Sequence, residues 1–164
     1  MTMKALISSA LRAFTDPGLA PTRLPAALGS VVGHLQSLAL LAARLYVARV
    51  FFTSGLSKLH DWSATLALFK DYYQVPLLPP TLAAYLGAAG ELAIPVLLVL
   101  GLAGRFAGAG LFVVNLMAAL SLPAEDLSVA GEMQHILWGV LALGIALFGA
   151  GRWSADAWLA RRPR

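Results

Sequence analysis

Four long apolar runs constrain the fold of this chain more than any other feature. They cover about 36–57, 81–102, 105–122 and 132–150, and each is close to the ~20 residues that an α-helix needs to cross the bilayer core. The composition agrees, because 59% of the residues are hydrophobic, whereas about 45–50% is usual in soluble domains. The sequence therefore predicts an all-α polytopic membrane protein, a four-helix bundle over 36–150.

The basic residues flank these runs and predict how the helices cross the membrane. Most of them lie in the N-terminal segment, in the turn between the second and third runs, and in the C-terminal segment: Lys4, Arg12, Arg23, Arg105, Arg152, Arg161, Arg162 and Arg164. The loop between the first and second runs has Lys58 and Lys70. The loop between the third and fourth runs carries only acidic charge. Because Lys and Arg accumulate on the cytoplasmic side, we expect both termini in the cytoplasm. This pattern explains the basic pI without a nucleic-acid partner.

The segments outside the bundle, 1–35 and 151–164, are predicted to be peripheral. Ile7, Leu11 and Phe14 fall on one helical face, so residues 3–14 can form a short helix at the membrane interface. A loose cytoplasmic tail is the alternative for this segment. Residues 151–164 are expected to form a basic cytoplasmic tail.

A single carboxylate, Glu91, interrupts the second apolar run. A charged side chain at the centre of a bilayer costs roughly 2.5–3.5 kcal/mol on insertion scales, so we expect Glu91 to face the interior of the bundle. Ala84, Gly87 and Ala88 share its helical face and allow another helix to approach closely. Pro95 removes the hydrogen bond to the Glu91 carbonyl oxygen and is expected to kink the helix beside the carboxylate.

The first run supplies basic partners for Glu91. Arg44 and Lys58 lie on one helical stripe, whereas Arg49 lies about 140° away around the helix. The stripe also contains Ala48, Phe51 and Gly55. One hypothesis is a structural ion pair between Glu91 and Arg44 or Arg49. Arg44 can instead extend to the cytoplasmic face of the membrane, and Lys58 marks the outer edge of the run.

Polar residues on the third and fourth runs give further candidates. Asn115 shares a stripe with Gly104 and Gly108, a spacing that favours close helix packing, so Asn115 is predicted to lie in the bundle interior. Glu132 and His135 form an ExxH motif, which can place two metal ligands on one face of a bundle helix. The alternative is that these two residues are simply a polar entry to the fourth run. The chain has no cysteine, which excludes a thiol relay and a Cys-ligated metal.

Aromatic residues cluster just after the first run. They are Trp62, Phe69, Tyr72 and Tyr73, and they precede a proline-rich loop at 75–80. A belt of aromatic side chains at the membrane interface explains them. The alternative is a pocket for the head of a quinone between Lys58, Tyr73 and the loop around Pro76.

The ordered combination of these residues resembles the DoxX family of small bacterial membrane proteins. The resemblance covers about 40–160 and rests on Arg44, GLSK at 55–58, VP at 75–76, GEL at 90–92, GL at 101–102, Arg105, and GAGRWSAD at 149–156. It implies a four-helix bundle in the bacterial inner membrane, in which Arg44, Lys58 and Glu91 match recurring polar positions. Arg49 and the ExxH motif are not part of the family pattern.

The resemblance implies a choice between functions. Relatives include the membrane subunit of a thiosulfate:quinone oxidoreductase and proteins that look like accessory partners of redox-stress enzymes. The loop at 73–80 resembles family members encoded beside metal-stress peptides. We therefore expect an accessory subunit or scaffold that is not catalytic alone and supports a redox or metal/oxidative-stress system through a membrane or peripheral protein partner.

Two other functions stay open at this point. One is a quinone-interacting subunit of an oxidoreductase complex, in which Glu91 and Lys58 contact the quinone oxygens. The other is a small transporter or metal-site protein that uses Glu91, Glu132 and His135. A homo-oligomer is compatible with each of these functions.

Overall fold

Six α-helices make up the part of the chain that the computed structural model describes, residues 26–123 and 126–161. They are α1 (Ala26–His60), α2 (Trp62–Asp71), α3 (Pro80–Leu100), α4 (Gly104–Ser121), α5 (Val129–Phe148) and α6 (Ala155–Ala160). The described residues contain no β-strand. The predicted all-α fold is confirmed.

Four of the described helices are long and apolar enough to cross a membrane. They are Ser30–His60 within α1, and the whole of α3, α4 and α5. Their outer surfaces carry many exposed Leu, Val, Ile and Phe side chains. Soluble proteins rarely expose contiguous apolar surface of this extent, whereas lipid tails are as apolar as these side chains. The chain is therefore a multi-pass membrane protein.

α1 begins at Ala26, directly after Pro25. The sequence left the start of the first span open between this region and residue 36, because residues 24–35 are also apolar. No further proline occurs until Pro76, and the sequence between 26 and 36 contains no strong helix breaker. The predicted interfacial helix at 3–14 lies outside the described residues.

The chain divides into two units between Ala39 and Leu40. In the first unit, residues 26–39 are described and form the beginning of α1, where Ser37 Oγ donates a hydrogen bond to the Gly33 carbonyl oxygen at 2.8 Å. The second unit contains the remainder of α1 and the other helices. All polar clusters discussed below belong to the second unit.

Two short helices occupy segments that were predicted to be connections or tail. α2 follows Asp61, whose carboxylate accepts a hydrogen bond from the Ala64 backbone nitrogen at 2.9 Å. α6 lies within the predicted basic tail and follows Ser154, whose hydroxyl accepts from the Ala157 nitrogen at 3.2 Å. Asp and Ser are preferred N-caps, so both helix starts were encoded locally.

The core of the second unit lies between α1, α3, α4 and α5. Its buried members are Val47, Ala48, Phe51, Leu98, Ala107, Leu111, Ala142 and Ile145. Gly108 lets α4 and α5 pack closely, because an added Cβ would lie 2.6 Å from the Ala146 backbone nitrogen. Small residues on one helix face permit this approach in membranes, as the spacing of Gly104 and Gly108 suggested.

Candidate functional site

Two polar clusters lie along the buried stripe of α1. Arg44, Ala48, Phe51 and Gly55 are buried and Lys58 is half-buried, so the stripe recognised in the sequence is the inward face of the helix. Lys58 follows Arg44 by about 21 Å along the helix axis. We call one cluster the Lys58 end, formed by Ser54, Lys58, Tyr73, Glu91, Asn115 and His135. The other is the Arg44 end, formed by Arg44, Gly101, Gly104, Trp153, Ser154 and Asp156.

Glu91 forms an ion pair with Lys58. The Lys58 Nζ donates a hydrogen bond to Glu91 Oε2 at 2.7 Å and another to Ser54 Oγ at 3.0 Å. The Lys58 and Glu91 side chains are 19% and 7% exposed. The hypothesis of an ion pair between Glu91 and an arginine is therefore wrong, because Arg44 belongs to the other cluster and Arg49 is exposed.

Gly55 explains why Lys58 is the residue that reaches Glu91. A Cβ at Gly55 would lie 2.8 Å from Leu92 Cγ and 3.1 Å from Glu91 Cβ, so α1 approaches α3 closely at this position. Lys58 lies on the same face one turn later, and helical side chains point back towards the N-terminus. Its ammonium group therefore extends back towards the level of Gly55 and meets the carboxylate.

α3 is one continuous helix from Pro80 to Leu100, with Pro95 in its interior. Proline has no backbone N–H to bond the carbonyl oxygen of the residue four positions earlier, and that residue is Glu91. The helix thus continues past the proline that was expected to kink it. The regular series of backbone hydrogen bonds is interrupted at Glu91, the residue that also carries the carboxylate.

A cavity of about 460 Å³ opens beside the Lys58–Glu91 ion pair. Much of its lining is apolar or aromatic and includes Phe51, Phe69, Leu86, Val113, Met117 and Trp138. Its polar lining residues are Ser54, Lys58, Tyr73, Glu91, Ser121 and His135. Cavities of a few hundred Å³ with apolar walls and a few convergent polar groups are typical small-molecule sites.

The loop between α2 and α3 forms part of this lining through Tyr73, Val75 and Leu78. The Tyr73 ring packs edge-on against Phe69, with 5.1 Å between the ring centroids. Burial raises the pKa of the Tyr73 phenol, and the negative charge of Glu91 raises that pKa further, so the phenol stays protonated at neutral pH. Pro76 is half-buried in the same loop but is not part of the lining.

Two hydrogen bonds tie this loop to the end of α4 and the loop after it. The Gln74 backbone nitrogen donates to the Ser121 carbonyl oxygen at 2.8 Å, and the Tyr72 hydroxyl donates to an Asp126 carboxylate oxygen at 2.8 Å. Tyr73 lies between these two anchor points in the sequence. Its position at the cavity wall therefore depends on contacts from elements distant in sequence.

Asn115 and His135 link α4 to α5. Asn115 Nδ2 donates to the His135 carbonyl oxygen at 2.9 Å, and Nδ1 of the His135 ring lies 3.0 Å from Asn115 Oδ1. The ring also packs edge-on against Trp138, with 5.1 Å between centroids. The sequence placed Asn115 in the interior but did not connect it with His135. Both residues lie on inward stripes of adjacent helices, which is the feature that could have suggested the contact.

The ExxH motif is split between two environments. His135 lines the cavity, whereas Glu132 is exposed and lies outside the lining. Glu132 occupies the first turn of α5, where a carboxylate interacts favourably with the helix dipole. Among the described residues, no group of three or more His, Asp or Glu side chains is arranged to hold a metal ion.

Arg44 is fully buried, with 1% of its surface exposed. Its Nη2 donates to the Trp153 carbonyl oxygen at 2.6 Å, while Nε and Nη1 make no hydrogen bond within the described part of the chain. Gly101 adopts a positive φ of 66° beside the guanidinium, and a Cβ there would collide with Nη1. Arg44 is thus enclosed by the chain at the level of the turn between α3 and α4.

Asp156 caps the beginning of α4. Its two carboxylate oxygens accept hydrogen bonds from the backbone nitrogens of Ala103 at 2.8 Å and Gly104 at 2.7 Å. Its own backbone nitrogen donates to the Gly101 carbonyl oxygen at 3.0 Å. These bonds satisfy N–H groups that a helix start leaves unpaired. The segment after α5 therefore holds the turn between α3 and α4 in place.

A family model described as DoxX matches residues 39–124, which is just over half of the chain. The matched range contains Arg44, Lys58, Glu91 and Asn115, whereas the segment at 149–156 lies beyond it. No curated protein and no solved structure matches the chain significantly.

Proposed function

The chain belongs to the DoxX family, and we propose that it is an accessory membrane subunit whose cavity binds the head of a quinone. The observation that carries this proposal is the Lys58–Glu91 ion pair set in the wall of a largely apolar cavity. The subunit would act in the bacterial inner membrane, with both termini in the cytoplasm. It would support a redox or metal/oxidative-stress system.

The residues of the cavity fit a quinone head. A quinone ring is apolar with two carbonyl oxygens, so it needs apolar walls and a hydrogen-bond donor. An ammonium group has three N–H donors, and Lys58 uses two of them for Glu91 and Ser54. The third is free to donate to a ligand oxygen, and the aromatic walls of Phe51, Phe69 and Trp138 can pack against the ring.

Glu91 acts in this proposal by holding Lys58 in position. Glu91 Oε2 accepts a hydrogen bond from the Lys58 ammonium group at 2.7 Å and balances its charge. Ser54 restrains the same ammonium group from the neighbouring turn of α1. The ion pair therefore presents a donor in a defined direction at the cavity wall.

Electrons would come from a partner protein. A bound quinone supplies two-electron, two-proton redox chemistry, but the chain contains no cysteine thiol that could exchange electrons with it. The subunit would therefore bind and orient the quinone, exclude water from it through Tyr73 and the loop around Pro76, and leave electron delivery to an associated oxidoreductase.

The proposal is tested by native mass spectrometry of the protein purified gently from its own membrane, with organic extraction of small molecules. We expect a quinone to co-purify with the wild-type protein and to fall by about tenfold or more in Glu91→Gln, since a hydrogen bond to a charged group is lost. Glu132→Gln is the matched control, because the same change there alters an exposed carboxylate outside the cavity. Quinone retained at the wild-type level in Glu91→Gln, or absent from the wild-type protein, would contradict the proposal.

A scaffold function is the second candidate, and the exposed side chain of Arg49 favours it. Arg49 lies within the membrane-spanning part of α1 and forms no ion pair among the described residues. Charged residues inside a membrane usually pair with another group, so Arg49 is suited to a carboxylate on a partner helix. Pull-down in mild detergent should recover a membrane partner that Arg49→Leu loses. Retention of the partner, or recovery of only a second copy of this chain, would contradict this assignment.

A further inference from the structure

The contact between Asn115 and His135 fixes which nitrogen of the imidazole carries a proton. Asn115 Nδ2 donates to the His135 carbonyl oxygen, and a carbonyl oxygen can only accept, so the NH₂ group of the amide must be on that side. Oδ1 therefore faces the ring, 3.0 Å from Nδ1. Because Oδ1 can only accept a hydrogen bond, Nδ1 carries the proton, and Nε2 of the neutral ring keeps its lone pair.

Nε2 of His135 is available to a ligand. It makes no hydrogen bond within the described residues, and the side chain lines the same cavity as Lys58 and Glu91. The ring is held by Asn115 at Nδ1 and by the edge-on contact with Trp138. α5 thus contributes to the cavity wall a histidine whose Nε2 has no hydrogen-bond partner among the described residues.

Glu91 supplies a second acceptor. Lys58 donates to Oε2, while Oε1 receives no hydrogen bond from the described part of the chain and the residue lines the cavity. The polar groups of the wall that have no hydrogen-bond partner among the described residues therefore include two acceptors, Glu91 Oε1 and His135 Nε2, and two donors, the third N–H of Lys58 and the Tyr73 hydroxyl. A ligand that donates two hydrogen bonds would satisfy both acceptors.

We propose that the cavity preferentially binds the reduced, dihydroxy form of its aromatic ligand, with Glu91 and His135 each accepting a hydrogen bond from one hydroxyl group. This inference rests on the proposed function and specifies which redox form the site selects. A quinol has two O–H donors, whereas the oxidised dione has none and would leave both acceptors unpaired. Leaving a buried polar group unpaired is costly, and sites built around a ligand hydroxyl strongly reject analogues that lack it. His135 is then a specificity-determining residue, and Asn115 is the positioning residue that keeps Nε2 unprotonated.

The test is anaerobic calorimetric titration of the full-length protein in lipid nanodiscs with decylubiquinol and with decylubiquinone. We expect the Kd for the quinol to be lower than that for the quinone by about tenfold or more. In His135→Phe, which keeps an aromatic ring against Trp138, the preference should shrink, because the quinol loses one acceptor and the quinone no longer leaves that acceptor unpaired. Asn115→Leu should reduce the same preference, because the ring is then free to place its proton on Nε2.

A measurement on the wild-type protein alone keeps the inference testable if the variants do not fold. The dimethyl ether of decylubiquinol has the same ring and tail but no O–H donor, so it should bind as weakly as the quinone. Equal affinity for the ether and the quinol, or for the quinone and the quinol, overturns the selectivity and leaves the proposed quinone site intact. Failure of all three compounds to bind overturns the proposed function itself.

Discussion

Arg44 and Lys58 lie on the same face of the same helix, yet their surroundings differ in kind. Arg44 is enclosed by the α3–α4 turn and the segment after α5, and its hydrogen bond goes to a backbone carbonyl. Lys58 is paired with a carboxylate and borders a cavity. The Arg44 end thus uses a charge to hold the chain together, whereas the Lys58 end keeps charged groups next to open space.

The difference predicts that the two ends contribute to different properties of the protein, one to stability and the other to binding. A charge enclosed on all sides contributes to packing, and replacing its surroundings should mainly affect folding. Placing a charged pair beside a cavity costs free energy of desolvation and leaves the cavity unfilled. This arrangement is typical of a ligand site. Substitutions at the two ends should therefore have separable effects on unfolding and on binding.

The largest effect on stability is expected at Gly101. In Gly101→Ala, the new Cβ would collide with Arg44 Nη1 and lie 2.5 Å from Ser154 Cβ, at a positive φ. We expect the free energy of unfolding to fall by roughly 2–4 kcal/mol, measured by reversible unfolding in mixed detergent micelles.

Gly144→Ala is the matched control for this substitution. Its Cβ would have nothing within 4 Å, and alanine is favoured over glycine inside a helix by about 1 kcal/mol. The control should be neutral or more stable than the wild type. Equal destabilisation by both substitutions would contradict the prediction that close packing around Arg44 makes Gly101 necessary.

The next largest effect is expected from separating the Lys58–Glu91 pair. Lys58→Met leaves a mostly buried carboxylate without its partner, and we expect the free energy of unfolding to fall by about 2 kcal/mol. This is less than for a fully buried pair, because the Lys58 side chain is 19% exposed. The double variant Lys58→Met/Glu91→Leu should recover most of this stability, since apolar residues often replace a buried ion pair without loss. Additive destabilisation in the double variant would assign the pair a structural function like that of Arg44.

Removal of the Asp156 cap should have a smaller effect. Asp156→Ala leaves the backbone nitrogens of Ala103 and Gly104 without their acceptors, and loss of an N-cap costs about 1 kcal/mol. Asp71→Ala, at an exposed carboxylate in the last turn of α2, should change the free energy of unfolding by less than about 0.5 kcal/mol. A cap variant as stable as the Asp71 variant would contradict this function of Asp156.

The smallest effect concerns the titration of Tyr73. Its pKa is raised first by burial and second by the charge of Glu91, so the stabilisation from the neutral phenol is present below the ordinary tyrosine pKa of about 10 and is lost as the pH rises through the raised value. Tyrosinate absorbance, with the Tyr73→Phe spectrum subtracted, reports this pKa. Glu91→Gln should lower it only partway towards the ordinary value. If the pKa of Tyr73 in this variant returned completely to the ordinary value, Glu91 and not burial would be the main cause of the raised pKa.

The fold and the inward faces of the helices could be predicted from the sequence because they depend on local patterns. The length of the apolar runs indicated four crossings, and the spacing of Arg44, Ala48, Phe51, Gly55 and Lys58 marked the buried stripe of α1. The exact start of α1 stayed open, because residues 24–35 are apolar like the run that follows them and are compatible with a start on either side of residue 36.

The partners of the charged residues could not be predicted in the same way. Helical spacing shows that Arg44 and Lys58 share a face. Which of them meets Glu91 depends on the positions along α1 and α3 at which the two helices come closest. These positions are set by contacts such as the one between Gly55 and Leu92. The contacts of Asn115 with His135 and of Asp156 with Gly104 likewise join segments far apart in sequence.

The separation of the two ends is tested most directly by measuring thermal unfolding and decylubiquinol affinity on the same preparations of two variants, Asp156→Ala and Lys58→Met/Glu91→Leu. We expect the first to unfold at a lower temperature than the wild type while its Kd stays at the wild-type value. The second should unfold close to the wild type while its affinity falls by about tenfold or more. A loss of affinity in Asp156→Ala, or wild-type affinity in the double variant, would contradict the assignment of binding to the Lys58 end and of structural support to the Arg44 end.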